Sequence, residues 1–189
     1  MDVSVINLKK AFEEKVVFSD LSMVFPGGKR TVIMGGSGCG KTTLLRIIMG
    51  FESYEAGEVT GTPDRISAVF QENRLLEGFS AVSNIVFAAG KGVSGEDILR
   101  HLDEVGLRES AFQSVSEMSG GMKRRVAIVR AMLAKKELLL LDEPLKELDE
   151  QNRSRVAEYI KRHSEGVTTI IVTHDVDDVA LFDAELIRM

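Results

Sequence analysis

Hydrophobic and polar positions change period repeatedly along this chain, from short apolar runs to helical spacing and back. Val3 to Leu8 reads as a strand, and Leu21, Met23 and Phe25 alternate as an edge strand would. Pro26-Gly27-Gly28 marks a turn. Arg30 to Met34 is a buried-type strand, and Lys41 to Met49 takes helical spacing until Gly50, which suits a C-terminal cap. Glu58 to Thr60 and Arg65 to Phe70 are short strand candidates. Helical spacing returns from Ser80 to Phe112, punctuated by glycines. Gly121 to Ala134 is a strong helix, with Met122, Val126, Val129 and Leu133 on one face and Lys123, Arg124 and Arg125 starting the other. Glu137 to Leu141 is a near-continuous apolar run, as a parallel strand covered on both faces requires. Glu150 to His163 predicts a helix, Val167 to Thr173 a buried strand, and Val176 to Phe182 a short helix.

Strand–helix alternation of this kind implies an α/β fold with a parallel sheet core and right-handed crossovers. The helical stretch from about Ser80 to Ala111 interrupts the alternation. It reads as a subdomain, approximately residues 78–117, inserted within a single domain spanning 1–189.

Composition narrows the function classes. The chain carries 24 basic against 29 acidic residues, a net charge of −5. A nucleic-acid backbone wants a basic face, so no nucleic-acid partner is expected. No apolar run approaches the roughly 20 residues that span a bilayer; Leu138 to Leu141 stops at Asp142. Met1 to Lys10 lacks the layout of a signal peptide. One cysteine, Cys39, excludes an internal disulfide framework. The expectation is a soluble, cytoplasmic protein.

Gly35-Gly36-Ser37-Gly38-Cys39-Gly40-Lys41-Thr42 fits the phosphate-loop pattern G-x-x-x-x-G-K-[ST], after a predicted strand and opening a predicted helix. Glycines let the backbone curl until successive N–H groups face phosphate oxygens, and the helix N-terminus adds its positive end. Lys41 brings a full charge to the outer phosphates. Thr42 offers a hydroxyl to Mg²⁺, which prefers oxygen ligands; Thr43 follows it in the same first turn. At Gly usage near 7%, a chance match in a chain this long is on the order of one per cent. The nucleotide is read as ATP with Mg²⁺. Two readings stand for Cys39: a redox-sensitive thiol at a helix N-terminus, or a small side chain filling a tight turn.

Leu138 to Leu141 ends in Asp142-Glu143-Pro144. Ligands of open α/β sheets bind beyond the carboxyl ends of strands, which places Asp142 beside the phosphate loop. Asp142 suits the metal, and Glu143 suits a general base polarising an attacking water.

With these residues in view, the chain resembles the ATP-binding cassette family, the ATPase subunits of ABC transporters, through nearly its whole length. Ser119-Gly120-Gly121, within Met118 to Met122, is similar to the cassette signature and is followed by a basic helix. Gln71, after the strand Ile66 to Phe70, looks like the glutamine that senses metal and attacking water; His174 looks like the switch histidine at the γ-phosphate; Asp149 looks like the D-loop aspartate. Phe12 stands at the spacing of the aromatic that stacks on adenine. The resemblance implies catalytic roles for Glu143, His174, Gln71 and Lys41, and metal contacts for Thr42, Gln71 and Asp142. It implies a head-to-tail pair, with a second copy or a homologous ATPase subunit, in which each ATP lies between one phosphate loop and the partner's Ser119 to Gly121. An integral membrane subunit would be driven through the groove near Gln71, with an extracytoplasmic binding protein involved indirectly. The site would then work at the inner face of the cell membrane.

The chain also departs from the family pattern. Met118 replaces Leu, Met122 replaces Gln, and Lys146-Glu147 replaces a small pair before Leu148-Asp149, close to the expected dimer interface. The short segment between Lys41 and Gln71 implies a trimmed antiparallel β subdomain, and the few residues after His174 imply no C-terminal regulatory domain. The stretch Gln71 to Leu76, with Val82-Ser83-Asn84-Ile85, resembles importers of the nitrate, sulfonate or taurine type. The alternatives are a soluble ABC ATPase acting on nucleic acid or ribosomes, and a nucleotide-binding scaffold without turnover. The acidic chain and its single cassette weigh against the first. Intact Lys41, Asp142, Glu143 and His174 weigh against the second.

Overall fold

The computed structural model describes residues 1–13 and 15–189. Two sheets and a set of helices enclose two apolar clusters, one on each face of the parallel sheet. The first sheet is antiparallel, ordered β2-β1-β4, from β1 (Val3–Phe12), β2 (Lys15–Phe25) and β4 (Ala56–Thr60). The second is parallel, ordered β5-β6-β7-β3-β8, from β3 (Arg30–Met34), β5 (Ile66–Val69), β6 (Leu138–Asp142), β7 (Thr168–Thr173) and β8 (Glu185–Arg188). The helices are α1 (Lys41–Ile48), α2 (Ala81–Ala89), α3 (Gly95–Glu104), α4 (Gly120–Leu133), α5 (Glu150–His163) and α6 (Val176–Phe182).

The unbroken apolar run of β6 has a simple cause. Successive side chains of a strand point to opposite faces, and both faces here are covered. Leu138 and Leu140 pack with α1 and the antiparallel sheet, among Ile33, Leu44, Phe18 and Phe25. Leu139 and Leu141 pack on the other side, among Val126 and Val129 of α4 and Val156 and Ile160 of α5. The helical stretch between β5 and α4 joins that second cluster through Ala81, Ile85, Ile98 and Leu102.

Three expectations are corrected. β1 does not stop at Leu8 but runs on to Phe12 through register shifts. Lys9 and Lys10 hid that extension, yet Lys10 is buried and paired with Glu52 at 3.0 Å. β8 has no counterpart among the expected strands, because Glu185-Leu186-Ile187-Arg188 is a mostly exposed edge strand with too few apolar positions to show a period. Arg124, assigned by spacing to a polar face of α4, is buried with 2% of its surface exposed.

Candidate functional site

Each parallel strand that carries a predicted site residue delivers it at its carboxyl end. Gly35 follows β3, Gln71 closely follows β5, Asp142 ends β6, and His174 follows β7. This is the sheet edge where ligands of open α/β folds bind. A cleft of about 520 Å³ opens there, lined among others by Phe12, Ser37, Gly38, Gly40, Lys41, Thr42, Thr43, Gln71, Asp142, Glu143 and His174.

The loop before α1 is held in its curl by its own residues. Gly40 caps α1 at φ 105°, a conformation that side chains disfavour. A Cβ there would also stand 2.6 Å from Phe18 and Val17. The Cys39 sulfur would stand 2.7 Å from a Cβ on Gly35, so it fills the turn. Lys41 Nζ donates to the carbonyls of Gly35, at 2.6 Å, and Gly36, at 3.0 Å. The Thr42 hydroxyl donates to Asp142 Oδ2 at 2.8 Å. Burial raises the Asp142 carboxyl above the ordinary range, opposed first by that hydroxyl and then by Arg124 and Lys41, while Glu143 adds to the rise. A hydroxyl beside a carboxylate is an all-oxygen donor pair, which fits a magnesium ion.

Glu143 sits at φ 49°, in the left-handed region that a non-glycine residue enters at a cost. Its N–H donates to Val172 O at 2.9 Å, pinning the turn to β7. Its carboxylate accepts from His174 Nδ1 at 2.7 Å, and the Thr173 hydroxyl lies 3.3 Å from its other oxygen. Thr173 also lies 3.0 Å from Asp178, which Arg153 of α5 clamps together with Asp175 at 2.5 and 2.6 Å. The segment around His174 is therefore tied to α5, whose N-cap is Asp149. Phe12 is not core: it is 44% exposed at the cleft rim, with the Lys10 ammonium 4.4 Å from its ring centre.

Ser119, Gly120 and Gly121 stand elsewhere; none of them lines the cleft. The Ser119 hydroxyl caps α4 by accepting from Met122 N at 3.3 Å. The unusual pair Lys146-Glu147 is divided between the two places. Lys146 lines the cleft. Glu147, at φ 66°, brings a carboxylate oxygen to 2.7 Å from where a Gly120 Cβ would stand.

Arg124 is the residue that spacing missed. From α4 its guanidinium donates to the carbonyls of Phe70, Asp142, Glu143 and Pro144, the last two at 2.5 and 3.3 Å. It thus holds the chain just before Gln71 and the end of β6 in one grip. Burial pushes its pKa down to about 10, against the pull of Asp142, Glu147 and Glu143, so it is fully charged at neutral pH. Nothing in the run Lys123-Arg124-Arg125 sets it apart, because its partners are backbone carbonyls distant in sequence.

Fold and cleft together define an α/β phosphate-loop protein. The chain belongs to the ABC transporter family, whose match covers residues 18–146, and it is an ATP-binding protein and ATPase of that family. It is 39% identical over 194 residues to the aliphatic sulfonates import ATP-binding protein SsuB 3 of Pseudomonas savastanoi pv. phaseolicola (strain 1448A / Race 6), spanning 96% of this chain and 70% of that one. The SsuB 2 protein of Burkholderia cenocepacia (strain HI2424) is 37% identical over 191 residues, with the same coverage. Among solved structures, a bacterial Atm1-family ABC exporter with ATP bound matches at a TM-score of 0.87 and 21% identity, over 100% of this chain and 36% of that one. That likeness concerns the fold.

Proposed function

We propose that this chain is the ATPase subunit of an importer, closing on ATP as a head-to-tail pair and reopening on hydrolysis. The observation that carries the reading is the single cleft in which Lys41 and the Thr42–Asp142 pair face the Glu143–His174 pair. The loop N–H groups and Lys41 bind the phosphates, and Phe12 stacks on the base. Thr42 and Asp142, with Gln71, would hold a magnesium ion, which when bound supplies positive charge at the phosphate oxygens. Glu143 accepts the proton of an attacking water, and His174 orients that carboxylate. A second copy, or a homologous subunit, brings its Ser119 to Gly121 to the same phosphates.

Coupling runs from Gln71 to the helical stretch of about residues 78–117 and on to a membrane-spanning subunit. Exposed Phe51, Phe79 and Phe87 suit such a contact. The two sulfonate import proteins support the import direction. The protein would work at the inner face of the membrane, with any extracytoplasmic binding protein reached only through the membrane subunit.

Glu143→Gln tests the assignment. ATP affinity should stay within about threefold, turnover should fall by about 10²–10⁴, and an ATP-bound dimer should accumulate on a sizing column. Undiminished turnover would remove Glu143 from the role of base.

A further inference from the structure

Away from the cleft, α3 and α5 bring two imidazoles and a carboxylate together. His101 and Glu104 lie three residues apart on α3, and His163 ends α5. One ligand atom from each residue falls within 4.8 Å of the others. His163 Nε2 and Glu104 Oε2 are 2.8 Å apart, and the two imidazole centres 4.5 Å. His101 is buried, while the side chains of Glu104 and His163 are each 20% exposed, which leaves the cluster open to solvent on one side.

The hydrogen bonds fix the His101 tautomer. Its Nε2 lies 3.4 Å from the Arg100 guanidinium, which can only donate, so Nε2 is the acceptor. Nδ1–H then donates to the Tyr159 hydroxyl at 2.8 Å. One nitrogen held by a hydrogen bond, the other presenting a lone pair, is how ligating imidazoles are oriented in metal sites.

We propose that His101, Glu104 and His163 form a site for a divalent cation of borderline softness, zinc foremost, with water as the fourth ligand. Two imidazoles and one carboxylate are a zinc donor set, whereas magnesium and calcium take oxygen ligands. Tetrahedral ligands at about 2.0–2.1 Å stand about 3.4 Å from one another. The 2.8 Å gap therefore opens by about 0.6 Å. The charged neighbours are Arg100 and Arg162, which reach Glu104 at 3.3 and 2.8 Å, and Asp97, which holds Arg100 at 3.4 Å. Both arginines are 57% exposed, where such pairs are weak, so Glu104 releases both and His101 Nε2 releases Arg100 readily. The ion would fasten the helical stretch between β5 and α4 to the helix α5. That site is independent of the nucleotide cleft and of the importer reading.

The test uses the full chain, stripped with chelator and held in excess magnesium so that oxygen-only sites are taken. Calorimetric titration should show one equivalent of Zn²⁺ bound at micromolar dissociation constant or tighter, and Co²⁺ should give tetrahedral visible bands. Zn²⁺ should also raise the thermal midpoint. His163→Gln and Glu104→Gln, both at part-exposed positions, should each weaken Zn²⁺ binding at least tenfold and abolish the thermal shift. Their circular dichroism and metal-free midpoints report whether they fold. Absence of saturable one-to-one binding in the unmodified chain would overturn the proposal. So would binding of unchanged strength in both variants.

Discussion

On the proposed function the cleft and the α4 N-terminus would both meet phosphate, yet they are finished to different degrees. In the cleft, the groups that would meet a nucleotide are held by the chain itself: Lys41 by loop carbonyls, Thr42 by Asp142, Glu143 by His174. At the start of α4, Ser119 is spent on its own cap, and the nearest charge is the Glu147 carboxylate. One region is preorganised for an anion and the other carries an anion already. Preorganised donors need no rearrangement when charge arrives, which is where electrostatic catalysis gains most. On that proposal the difference assigns nucleotide capture to one chain and makes tight closure depend on clearing the second surface.

Lys41→Ala strikes only the first region and has the largest expected effect. A contact between unit charges is worth about 4 kcal/mol at an effective dielectric near 20. ATP affinity of the isolated chain should fall by about a hundredfold to a thousandfold, read by titration with a fluorescent ATP analogue. Ser119→Ala, in the same assay, should leave affinity unchanged and cost only the helix cap, about 1 kcal/mol of stability. Equal losses in the two variants would erase the distinction between the regions.

Arg124→Met comes next, and it probes the link between them. The residue sits one turn into the helix that Gly120 starts, and it grips four carbonyls, two of them on the cleft residues Asp142 and Glu143. Hydrogen bonds to a charged donor are each worth about 1.5–3 kcal/mol, and stranding buried carbonyls adds to the loss. Urea unfolding should show a loss of about 3 kcal/mol or more, with turnover reduced even where the chain remains folded. Arg125→Met, at a half-buried neighbour whose guanidinium reaches the carbonyls of Gly121, Val105 and Gly106, should cost less. A stable, fully active Arg124→Met protein would mean that the two surfaces are not mechanically joined through α4.

These contrasts follow what was legible in the sequence. The loop from Gly35 to Thr42 is contiguous, so its chemistry and its strand–turn–helix setting are visible together. Asp142 and Glu143 are visible because a fully apolar strand ends on them. Phe12, Gln71 and His174 carry no local pattern, and only resemblance pointed to them; the structure brings them to the same cleft. Arg124 stayed hidden because a buried arginine serving carbonyls has the same spacing as an exposed one. β8 stayed hidden because an edge strand tolerates polar residues on exposed positions, and the far half of β1 because Lys9 and Lys10 interrupt its apolar pattern although Lys10 is buried in an ion pair. The pair Lys146-Glu147 was visible as an oddity but not as two residues with separate destinations.

Glu147 carries the smallest and most pointed prediction. Its carboxylate lies over Gly120, where helix α4 offers its positive end, and there it stabilises the helix by about 0.3–1 kcal/mol while opposing an incoming phosphate. Unit charges about 4 Å apart in water repel by about 1 kcal/mol, a factor of about five in an equilibrium. Glu147→Ser, placed in a Glu143→Gln background so that ATP persists, should tighten the ATP-bound dimer by about fivefold in sedimentation analysis. It should slightly lower the thermal midpoint of the monomer, because the helix loses its anionic neighbour. ATP affinity of the isolated chain should not move, since Glu147 does not line the cleft. A dimer no tighter than that of the parent would show that the carboxylate swings aside as the surfaces meet, and the second region would then be as ready for phosphate as the first.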